Sequence, residues 1–381
     1  MKTGSVMAWS LITLAGCATV DSSTTVEVAK TGAPASNDLP ASPEWSAPTE
    51  RIAIGGGAPL GGRLKVGFIG LADAERARLA TISDRLDIVN FADGAAALAA
   101  MSTLDGVVGG AFCKPEFLRA GSRLRWLQVT SAGVDDCAYL IEMKAATGLV
   151  LTNMRTTHAP NIADHAFALL LTLTRNMHAY HNLQRDAQWK RASNTEAREL
   201  QGGTAVVVGL GGIGTQIARR AFGFGMTVLA VDPKDIEKPS YVSALVKPQG
   251  LDEVLRQADV VFIAAPLTPE TQNLFDSRRF TILKPGALLI NVSRGRIVNT
   301  TALMDALESG QLSGAGLDVV DPEPLPPEHP LWGMPNVVLT PHMANESPGR
   351  RPRQDVILEQ NLRAFGAGEP LRNVVNKIVG Y

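Results

Sequence analysis

The sequence predicts an α/β protein with two doubly wound parallel-sheet domains, and three observations support this prediction. Short apolar runs rich in β-branched residues alternate with helical patterns over 64–153, and the same alternation returns over 204–341. A glycine-rich turn at 209–214 stands between a predicted strand and a predicted helix, as in sheets of this class. A chain of 381 residues is also long enough for two domains of roughly 100 to 200 residues each.

The first alternating series predicts a small parallel sheet of five strands. Its first strand precedes the helical pattern 73–85, and further stretches of helical pattern separate the other strands. The five strands are predicted at 64–70, 87–91, 106–109, 124–130 and 150–153.

The second series predicts a complete doubly wound domain that follows a long apolar helix near 161–175. The helical segment 354–365 is expected to pack back on the first domain, which makes that domain discontinuous and flavodoxin-like. The second domain is therefore inserted into the first, with the first at 63–160 and 343–381 and the second at 161–342. The strands of the second domain are predicted at 204–209, 227–231, 260–264, 287–292, 316–320 and 337–339.

Composition and charge exclude several classes of protein. A net charge of −1 gives no basic surface for a polyanion, so no nucleic-acid partner is expected. The three cysteines form no CxxC pair, and His178 with His181 lacks a third ligand at a convincing spacing, so no metal site is expected. Cys113 and Cys137 are expected to be buried free thiols, and their pairing in an oxidising compartment is the alternative.

The N-terminus resembles a bacterial lipoprotein signal. An uncharged apolar run at 6–16 follows Lys2 and is too short to cross a bilayer. It ends in Leu14-Ala15-Gly16-Cys17, which resembles the lipoprotein box whose cysteine is lipidated. We therefore expect a signal peptide at 1–17, a lipid on Cys17, a flexible tether at 18–62 and a membrane-anchored periplasmic protein. The alternative is a cytoplasmic protein with a chance apolar start.

The glycine-rich turn fits the dinucleotide-binding pattern G-x-G-x-x-G. Gly209 would turn the chain, Gly211 would let the backbone approach a pyrophosphate, and Gly214 would let helix and strand pack closely. Asp232 follows the strand 227–231, where a carboxylate would accept both ribose hydroxyls of NAD and repel the 2′-phosphate of NADP. The sequence therefore predicts an NAD site rather than an NADP site, formed by Gly209, Gly211, Gly212, Ile213, Gly214 and Asp232.

Four further motifs lie at predicted strand ends or in the loops that follow, the edge at which open α/β sheets bind ligands. They are Asn291-Val292-Ser293-Arg294-Gly295-Arg296, Gly316-Leu317-Asp318-Val319, Glu323-Pro324-Leu325 and Thr340-Pro341-His342. With Ser131-Ala132-Gly133-Val134-Asp135 and Gly368-Glu369-Pro370-Leu371, this order and spacing resembles the D-2-hydroxyacid dehydrogenase family from about Leu64 to Tyr381. Within the family, the chain is similar to glyoxylate/hydroxypyruvate reductases and phosphoglycerate dehydrogenases.

The resemblance implies an NAD-dependent oxidoreductase that moves a hydride between nicotinamide and a small 2-oxo or 2-hydroxy acid. It implies that His342 is the acid–base group, that Glu323 holds the other imidazole nitrogen, and that Arg294 binds the substrate carboxylate. The backbone N–H groups of Ala132, Gly133 and Val134 would meet the same carboxylate. Implied cofactor contacts, with Asp318 on the nicotinamide carboxamide, are Ala265, Pro266, Thr271, Val292, Ser293, Arg294, Asp318, His342 and Ala344.

A second function stays open, that of an NAD(H)-binding sensor or interaction protein that keeps the fold without turnover. The intact set of Arg294, Glu323 and His342 argues against it, because a binding module needs no proton donor opposite a carboxylate clamp. The resemblance also implies glyoxylate or hydroxypyruvate as substrate. It further implies a homodimer that pairs through the cofactor domain and the long helix beginning near Asn161.

Overall fold

The computed structural model of the chain describes residues 62–191 and 197–381. The predicted signal peptide, the predicted lipidation at Cys17 and almost all of the predicted tether lie outside these residues. Within the described residues, no helix is both long enough and apolar enough to cross a membrane.

The first domain is built on a five-stranded parallel sheet, and all five predicted strands are present. They are β1 (Leu64–Ile69), β2 (Leu86–Phe91), β3 (Gly106–Val108), β4 (Trp126–Gln128) and β5 (Val150–Thr152). Their order, β2-β1-β3-β4-β5, is that of flavodoxin-like sheets. In register, Val66 of β1 pairs with Ile88 of β2 on one side and with Gly106 of β3 on the other.

Short helices cover this first sheet. The Asp93 side chain accepts a hydrogen bond from the N–H of Ala96 and so caps the second of them. The first helix stops at Ala80, before the Ser83-Asp84 turn, and is shorter than the predicted helical pattern 73–85. The helices are α1 (Asp73–Ala80), α2 (Gly94–Ala100), α3 (Pro115–Ala120), α4 (Asp135–Ala138) and α5 (Ile141–Ala145).

The second domain is built on a seven-stranded parallel sheet. Its strands are β6 (Thr204–Val208), β7 (Thr227–Val231), β8 (Ala244–Val246), β9 (Val260–Ile263), β10 (Ala287–Asn291), β11 (Leu312–Leu317) and β12 (Val337–Leu339). Their order is β12-β11-β10-β9-β6-β7-β8, so the direction of winding reverses between β6 and β9. That reversal is the switch point at which doubly wound sheets bind ligands.

Two strands of the second sheet differ from the sequence prediction. β8 was missed; it is an edge strand that pairs only with β7, and it begins with an alanine, a residue type that is depleted in strands. β11 begins at Leu312 rather than at the predicted Gly316. Its first half contains Ser313 and Gly314, residue types that disfavour strands in sequence-based prediction.

Helices cover both faces of the second sheet. They are α6 (Ala159–Thr174), α7 (Met177–Arg185), α8 (Gly212–Gly223), α9 (Leu251–Leu255), α10 (Ser277–Ile282) and α11 (Thr300–Glu308). On one face, Phe167 of α6 stacks on Phe262 of β9, with ring centroids 5.3 Å apart. On the other, Leu255, Phe280 and Leu303 of α9, α10 and α11 are buried in one apolar cluster.

The last helix, α12 (Arg350–Ala367), returns to the first sheet. Leu362 and Phe365 of α12 lie in the same buried cluster as Val66 and Trp126 of the first sheet. The rings of Trp126 and Phe365 are 5.0 Å apart. The chain therefore leaves the first sheet, builds the second, and comes back to complete the core of the first.

Cys113 and Cys137 form a disulfide, so the expectation of two free thiols was wrong. Cys113 follows a 3-10 turn over Gly110–Phe112, and Cys137 lies in α4. Packing of these two short elements brings the Cα atoms to 4.9 Å, a separation that a disulfide can span. The distance depends on tertiary packing, since 24 residues separate the two cysteines.

Candidate active site

The residues predicted from sequence gather at the carboxyl edge of the second sheet. Leu317 of β11 pairs with Asn291 of β10 on one side and with Leu339 of β12 on the other, so the segments after these strands lie side by side. In the parallel sheet each of six strands is followed by a candidate residue at this edge. These residues are Gly209 after β6, Asp232 after β7, Ala265 after β9, Arg294 after β10, Asp318 after β11 and His342 after β12.

The glycine-rich turn between β6 and α8 has the geometry that a pyrophosphate requires. Gly209 has a φ of +92°, and a Cβ built on it would lie 2.7 Å from the backbone of Ala265. A Cβ on Gly214 would lie 1.8 Å from the Gly209 carbonyl oxygen, so helix and strand pack through this residue. A Cβ on Gly211 would meet nothing within 4 Å, which leaves space in front of the α8 N-terminus. Gly212 and Ile213 form the first turn of that helix, and the residues fit a bound dinucleotide.

Asp232 lies beside this turn and is buried. Its carboxylate accepts hydrogen bonds from the backbone N–H of Leu210 at 2.8 Å and of Lys234 at 2.9 Å. The first of these bonds ties the end of β7 to the glycine turn after β6. A ribose that follows a pyrophosphate in this turn would therefore meet a carboxylate that is already oriented.

The segment after β9 forms a wall next to the glycine turn. The Thr271 hydroxyl donates to the Pro266 carbonyl oxygen at 2.6 Å and accepts from the Thr268 N–H at 2.7 Å. The Ser293 hydroxyl donates to the carbonyl oxygen of Ala265. Both hydroxyls thus shape the wall, and Val292 beside Ser293 is buried. Contacts of these residues with a cofactor stay predictions.

Asp318 is buried and binds protein groups through both carboxylate oxygens. One oxygen accepts from the Thr340 hydroxyl at 2.7 Å and from the Met343 N–H at 2.9 Å. The other accepts from the N–H of Ala344 at 3.0 Å. The predicted contact of Asp318 with the carboxamide stays a prediction, and its observed contacts hold the segment that carries His342.

His165 also belongs to this network, which sequence reasoning missed. Its Nε2 lies 2.8 Å from the Thr340 hydroxyl and 3.4 Å from a carboxylate oxygen of Asp318. His165 is on α6, far from this segment in sequence, and it was not among the predicted site residues. One sequence feature could have indicated this role for His165: it is a polar residue on the long apolar helix that packs on the second sheet.

His342 and Glu323 form the pair that the resemblance implied. Nδ1 of His342 lies 2.7 Å from Oε1 of Glu323, and both side chains are about 40% exposed. His342 has a φ of +50°, a left-handed conformation that is uncommon for a residue with a Cβ. Its N–H donates to the Asp318 carbonyl oxygen at 2.8 Å. This bond, to the residue directly after β11, holds the left-handed backbone from which the imidazole projects.

Arg294 reaches across from the second domain to the loop after β4 in the first. Its Nε and Nη2 donate to the two oxygens of Asp135, both at 3.0 Å. A Cβ built on Gly133 would lie 1.8 Å from Nη2 of Arg294, so only glycine admits the guanidinium here. The predicted substrate loop and the predicted carboxylate-binding arginine are thus in contact. Sequence reasoning had given Asp135 no role.

The substrate loop itself is held from within the first domain. The Asn153 side chain donates to the Ala132 carbonyl oxygen at 2.8 Å, and the Ser131 hydroxyl donates to the carbonyl oxygen of Gly133 at 2.6 Å. Within the part of the chain that the structure describes, the N–H groups of Ala132, Gly133 and Val134 have no backbone acceptor. The geometry leaves these donors for an anion.

The comparisons with known proteins agree with this geometry. Residues 167–344 match the family model described as D-isomer specific 2-hydroxyacid dehydrogenase, NAD binding domain. The glyoxylate reductase of Korarchaeum cryptofilum is 37% identical over 272 residues, which cover 69% of this chain and 80% of that relative.

Solved structures show the same fold. The structure of a D-isomer specific 2-hydroxyacid dehydrogenase family protein from Aeromonas salmonicida is 32% identical and superimposes with a TM-score of 0.71, covering 83% of this chain and 100% of that one. The NADPH-dependent glyoxylate/hydroxypyruvate reductase of Sinorhizobium meliloti, in complex with NADP and sulfate, is 26% identical with a TM-score of 0.70. That match covers 84% of this chain and 100% of the reductase.

Proposed function

This chain belongs to the D-isomer specific 2-hydroxyacid dehydrogenase family, and we propose that it uses NAD to reduce a small 2-oxo acid such as glyoxylate or hydroxypyruvate. Its reaction class is the NAD(P)-dependent reduction of a 2-oxo acid, an oxidoreduction at a CH–OH group. The contact of 2.7 Å between His342 and Glu323 carries the assignment to an enzyme, because a protein that only binds a dinucleotide does not need it.

The cofactor, His342 and Glu323 have separate roles in the proposed reaction. NAD, when bound in its reduced form, supplies the hydride that adds to the carbonyl carbon of the substrate. In the imidazolium form His342 donates its Nδ1–H to Glu323 and carries a second proton at Nε2, which it gives to the carbonyl oxygen. Glu323 fixes the tautomer and stabilises the imidazolium before transfer. In the oxidation direction the same nitrogen takes the proton back.

Recognition of the substrate carboxylate is assigned to Arg294 and the loop N–H groups. The guanidinium of Arg294 lies against Gly133, in the loop where the N–H groups of Ala132, Gly133 and Val134 have no backbone acceptor among the described residues. A cationic group and several N–H donors in one place suit a carboxylate. The name of the Korarchaeum cryptofilum relative, glyoxylate reductase, favours a small substrate in this position.

The preference for NAD over NADP is proposed from Asp232. A buried carboxylate beside the ribose position would repel a 2′-phosphate. We expect Asp232→Ala to raise kcat/KM with NADPH relative to NADH by about tenfold or more. Steady-state kinetics with both cofactors measures this ratio, and Asp235→Ala is the matched control on the same loop. An unchanged ratio in Asp232→Ala would remove the basis for the NAD preference.

The rival function is a sensor that binds NAD(H) without turnover. The decisive experiment is NADH oxidation by the purified chain with glyoxylate, hydroxypyruvate and pyruvate. We expect turnover, and we expect His342→Ala to lower kcat by roughly 10²- to 10⁴-fold while NADH binding survives. NADH binding without turnover in the wild type would establish the sensor instead.

A periplasmic lipoprotein is the location that we propose. The box at 14–17 supports it, and so does the disulfide between Cys113 and Cys137, because structural disulfides persist in oxidising compartments. The test is labelling of cells with an alkyne fatty acid, followed by fractionation, for the wild type and Cys17→Ala. We expect label in the membrane fraction only for the wild type. An unlabelled, cytosolic wild type would support the alternative.

A homodimer is also proposed, through the second domain. Met177, Phe222 and Phe224 are large apolar side chains that are exposed on α7 and at the end of α8. Phe224 stacks on Phe167 of α6, with ring centroids 5.1 Å apart, so α6 and the end of α8 form one surface. Large exposed apolar side chains of this kind suit a contact with a second copy of the chain.

A further inference from the structure

An ion pair with two parallel hydrogen bonds joins the two domains at the candidate site. Arg294 follows β10 in the second domain, and Asp135 begins α4 in the first. Nε and Nη2 of the guanidinium donate to the two carboxylate oxygens, each at 3.0 Å. The side chains are 28% and 22% exposed, so water screens the pair only in part.

Arg294 has more N–H groups than its protein partners use. A guanidinium has five N–H groups, two on each Nη and one on Nε. Asp135 takes the Nε–H and one N–H of Nη2, and the carbonyl oxygen of Ser293 takes one N–H of Nη1 at 2.8 Å. One N–H on each terminal nitrogen is left without a partner among the described residues. Two N–H groups on neighbouring nitrogens suit a second carboxylate.

We propose that Asp135 is a positioning residue for substrate binding. It holds the guanidinium of Arg294 across the domain boundary, so that the two remaining N–H groups face an incoming 2-oxo acid carboxylate. This inference rests on the proposed function and deepens it. Without Asp135, a long arginine side chain would sample several rotamers, and ordering it would cost part of the binding energy of the substrate.

The position of Asp135 is fixed by its own domain. Cys137, two residues along α4, is disulfide-bonded to Cys113, and Val134 and Ala138 on either side are buried. The Val134 carbonyl oxygen accepts hydrogen bonds from the N–H groups of Cys137 and Ala138. The carboxylate of Asp135 is therefore held in place by its own domain, so it can fix the orientation of the Arg294 guanidinium.

The competing interpretation is that Asp135 occupies the place of the substrate carboxylate and inhibits binding. The count of N–H groups opposes it, since a pair remains after Asp135 is bound. The contact with Gly133 opposes it too, because Nη2 already lies against the loop whose N–H groups have no backbone acceptor in the described part of the chain. The two interpretations predict opposite changes in the KM of the substrate.

The test compares Asp135→Asn and Asp135→Ala with Asp136→Asn, the exposed neighbouring carboxylate. We expect KM for the 2-oxo acid to rise about 10- to 100-fold in the first two variants, as for a lost charge-assisted bond, with a smaller fall in kcat. The affinity of these variants for NADH should match that of the wild type, and Asp136→Asn should keep the wild-type KM for the 2-oxo acid.

The methyl ester of the same 2-oxo acid lacks the carboxylate. Asp135→Asn should therefore reduce this ester as well as the wild type does. Asp135→Glu should restore part of the loss.

A lower KM in Asp135→Asn would establish the inhibitory interpretation, and an unchanged KM would show that Asp135 has no role in substrate binding. Equal losses of activity with the acid and with its methyl ester would show that Asp135 has only a structural role. Calorimetric binding of oxamate to the NADH-bound chain separates this proposal from the proposed function. If the wild type has no turnover but binds oxamate, and Asp135→Asn loses that binding, the proposal holds and the function fails. A wild type that neither turns over nor binds oxamate overturns both.

Discussion

At the scale of single residues, the site depends on side chains whose partners are already in place. Nδ1 of His342 faces Glu323, and the left-handed backbone at His342 is held by a hydrogen bond to the carbonyl oxygen of Asp318. Asp318 binds the N–H groups of Met343 and Ala344 directly after the histidine. Because these partners are already in place, less free energy is needed to bring the side chains into the reactive geometry.

Arg294 offers the first prediction at this scale. We expect Arg294→Lys to raise KM for the 2-oxo acid about 10- to 100-fold, because an ammonium cannot bind Asp135 and the substrate through parallel pairs of hydrogen bonds. Steady-state kinetics measures the change. Arg296→Lys, two residues along the chain, is the matched control and should keep the wild-type KM. Equal KM values for Arg294→Lys and the wild type would contradict the assigned clamp.

His158 gives a prediction on pH. It is 3% exposed, and burial first, then the nearby charge of Arg350, lowers the pKa of His158 to about 4. In the folded chain its Nε2 lies 3.2 Å from the amide nitrogen of Gln354, and its Nδ1 lies 3.1 Å from the Thr157 hydroxyl. A neutral imidazole satisfies both contacts, with Nε2 accepting from the Gln354 amide and Nδ1–H donating to the Thr157 hydroxyl. The unfolded chain binds a proton near pH 6.5, so acidification from 6.5 to about 4 favours unfolding.

The expected contribution of His158 is about 3 kcal/mol, present above pH 6.5 and lost as the pH falls to about 4. Urea unfolding of the wild type and His158→Asn across this window measures it. The free energy of unfolding should fall more steeply with acidification in the wild type than in the variant. Parallel curves for the two proteins would show that the histidine does not titrate as its burial implies.

At the scale of elements, short turns and helices place the loops that bind ligands. α4 has only four residues, yet it carries Asp135 and the disulfide-bonded Cys137. α6 is long and belongs to the core of the second sheet, and its His165 reaches the network around Asp318. The loops of the site are therefore supported by elements from both domains.

The disulfide gives a prediction at this scale. It closes a loop across 24 residues of sequence, so its reduction is expected to lower the free energy of unfolding by about 3 kcal/mol. Urea unfolding with and without reductant measures the loss. A double variant, Cys113→Ala with Cys137→Ala, should be insensitive to reductant, and Cys17→Ala should respond like the wild type. A wild type whose midpoint does not move with reductant would contradict the prediction.

At the scale of the whole molecule, two sheets share one chain that passes between them twice. The core of the first domain is completed by α12, which follows the second domain in sequence and packs on the first sheet. The ion pair of Arg294 and Asp135 then connects the carboxyl edges of the two sheets. A substrate bound in this region meets residues of both domains.

The proposed homodimer is tested at the same scale. We expect light scattering to give the mass of two chains for the wild type and a lower mass for Phe222→Asp, because a buried charge without a partner disfavours association. Ile141→Asp, at a more exposed apolar position in the first domain, should leave the mass unchanged. A wild type with the mass of one chain would rule the dimer out.

The sequence by itself determined the fold class and the chemical class of the protein. Alternating strand and helix patterns located both sheets, and the glycine turn at 209–214 located the cofactor site, because these signals are local in sequence. The motifs that contain Arg294, Glu323 and His342 were found for the same reason, since each follows a predicted strand. Two strand features were not predicted: β8, an edge strand that begins with alanine, and the start of β11, which contains Ser313 and Gly314.

Tertiary structure alone decided which of these residues touch. Asp135 and Arg294 are 159 residues apart, and His165 and Thr340 are 175 apart. No periodicity or motif records such contacts, because they depend on how the two domains and their helices pack. The disulfide between Cys113 and Cys137 was missed for the same reason. The sequence specifies the groups that carry the chemistry, and packing between distant segments fixes their orientation.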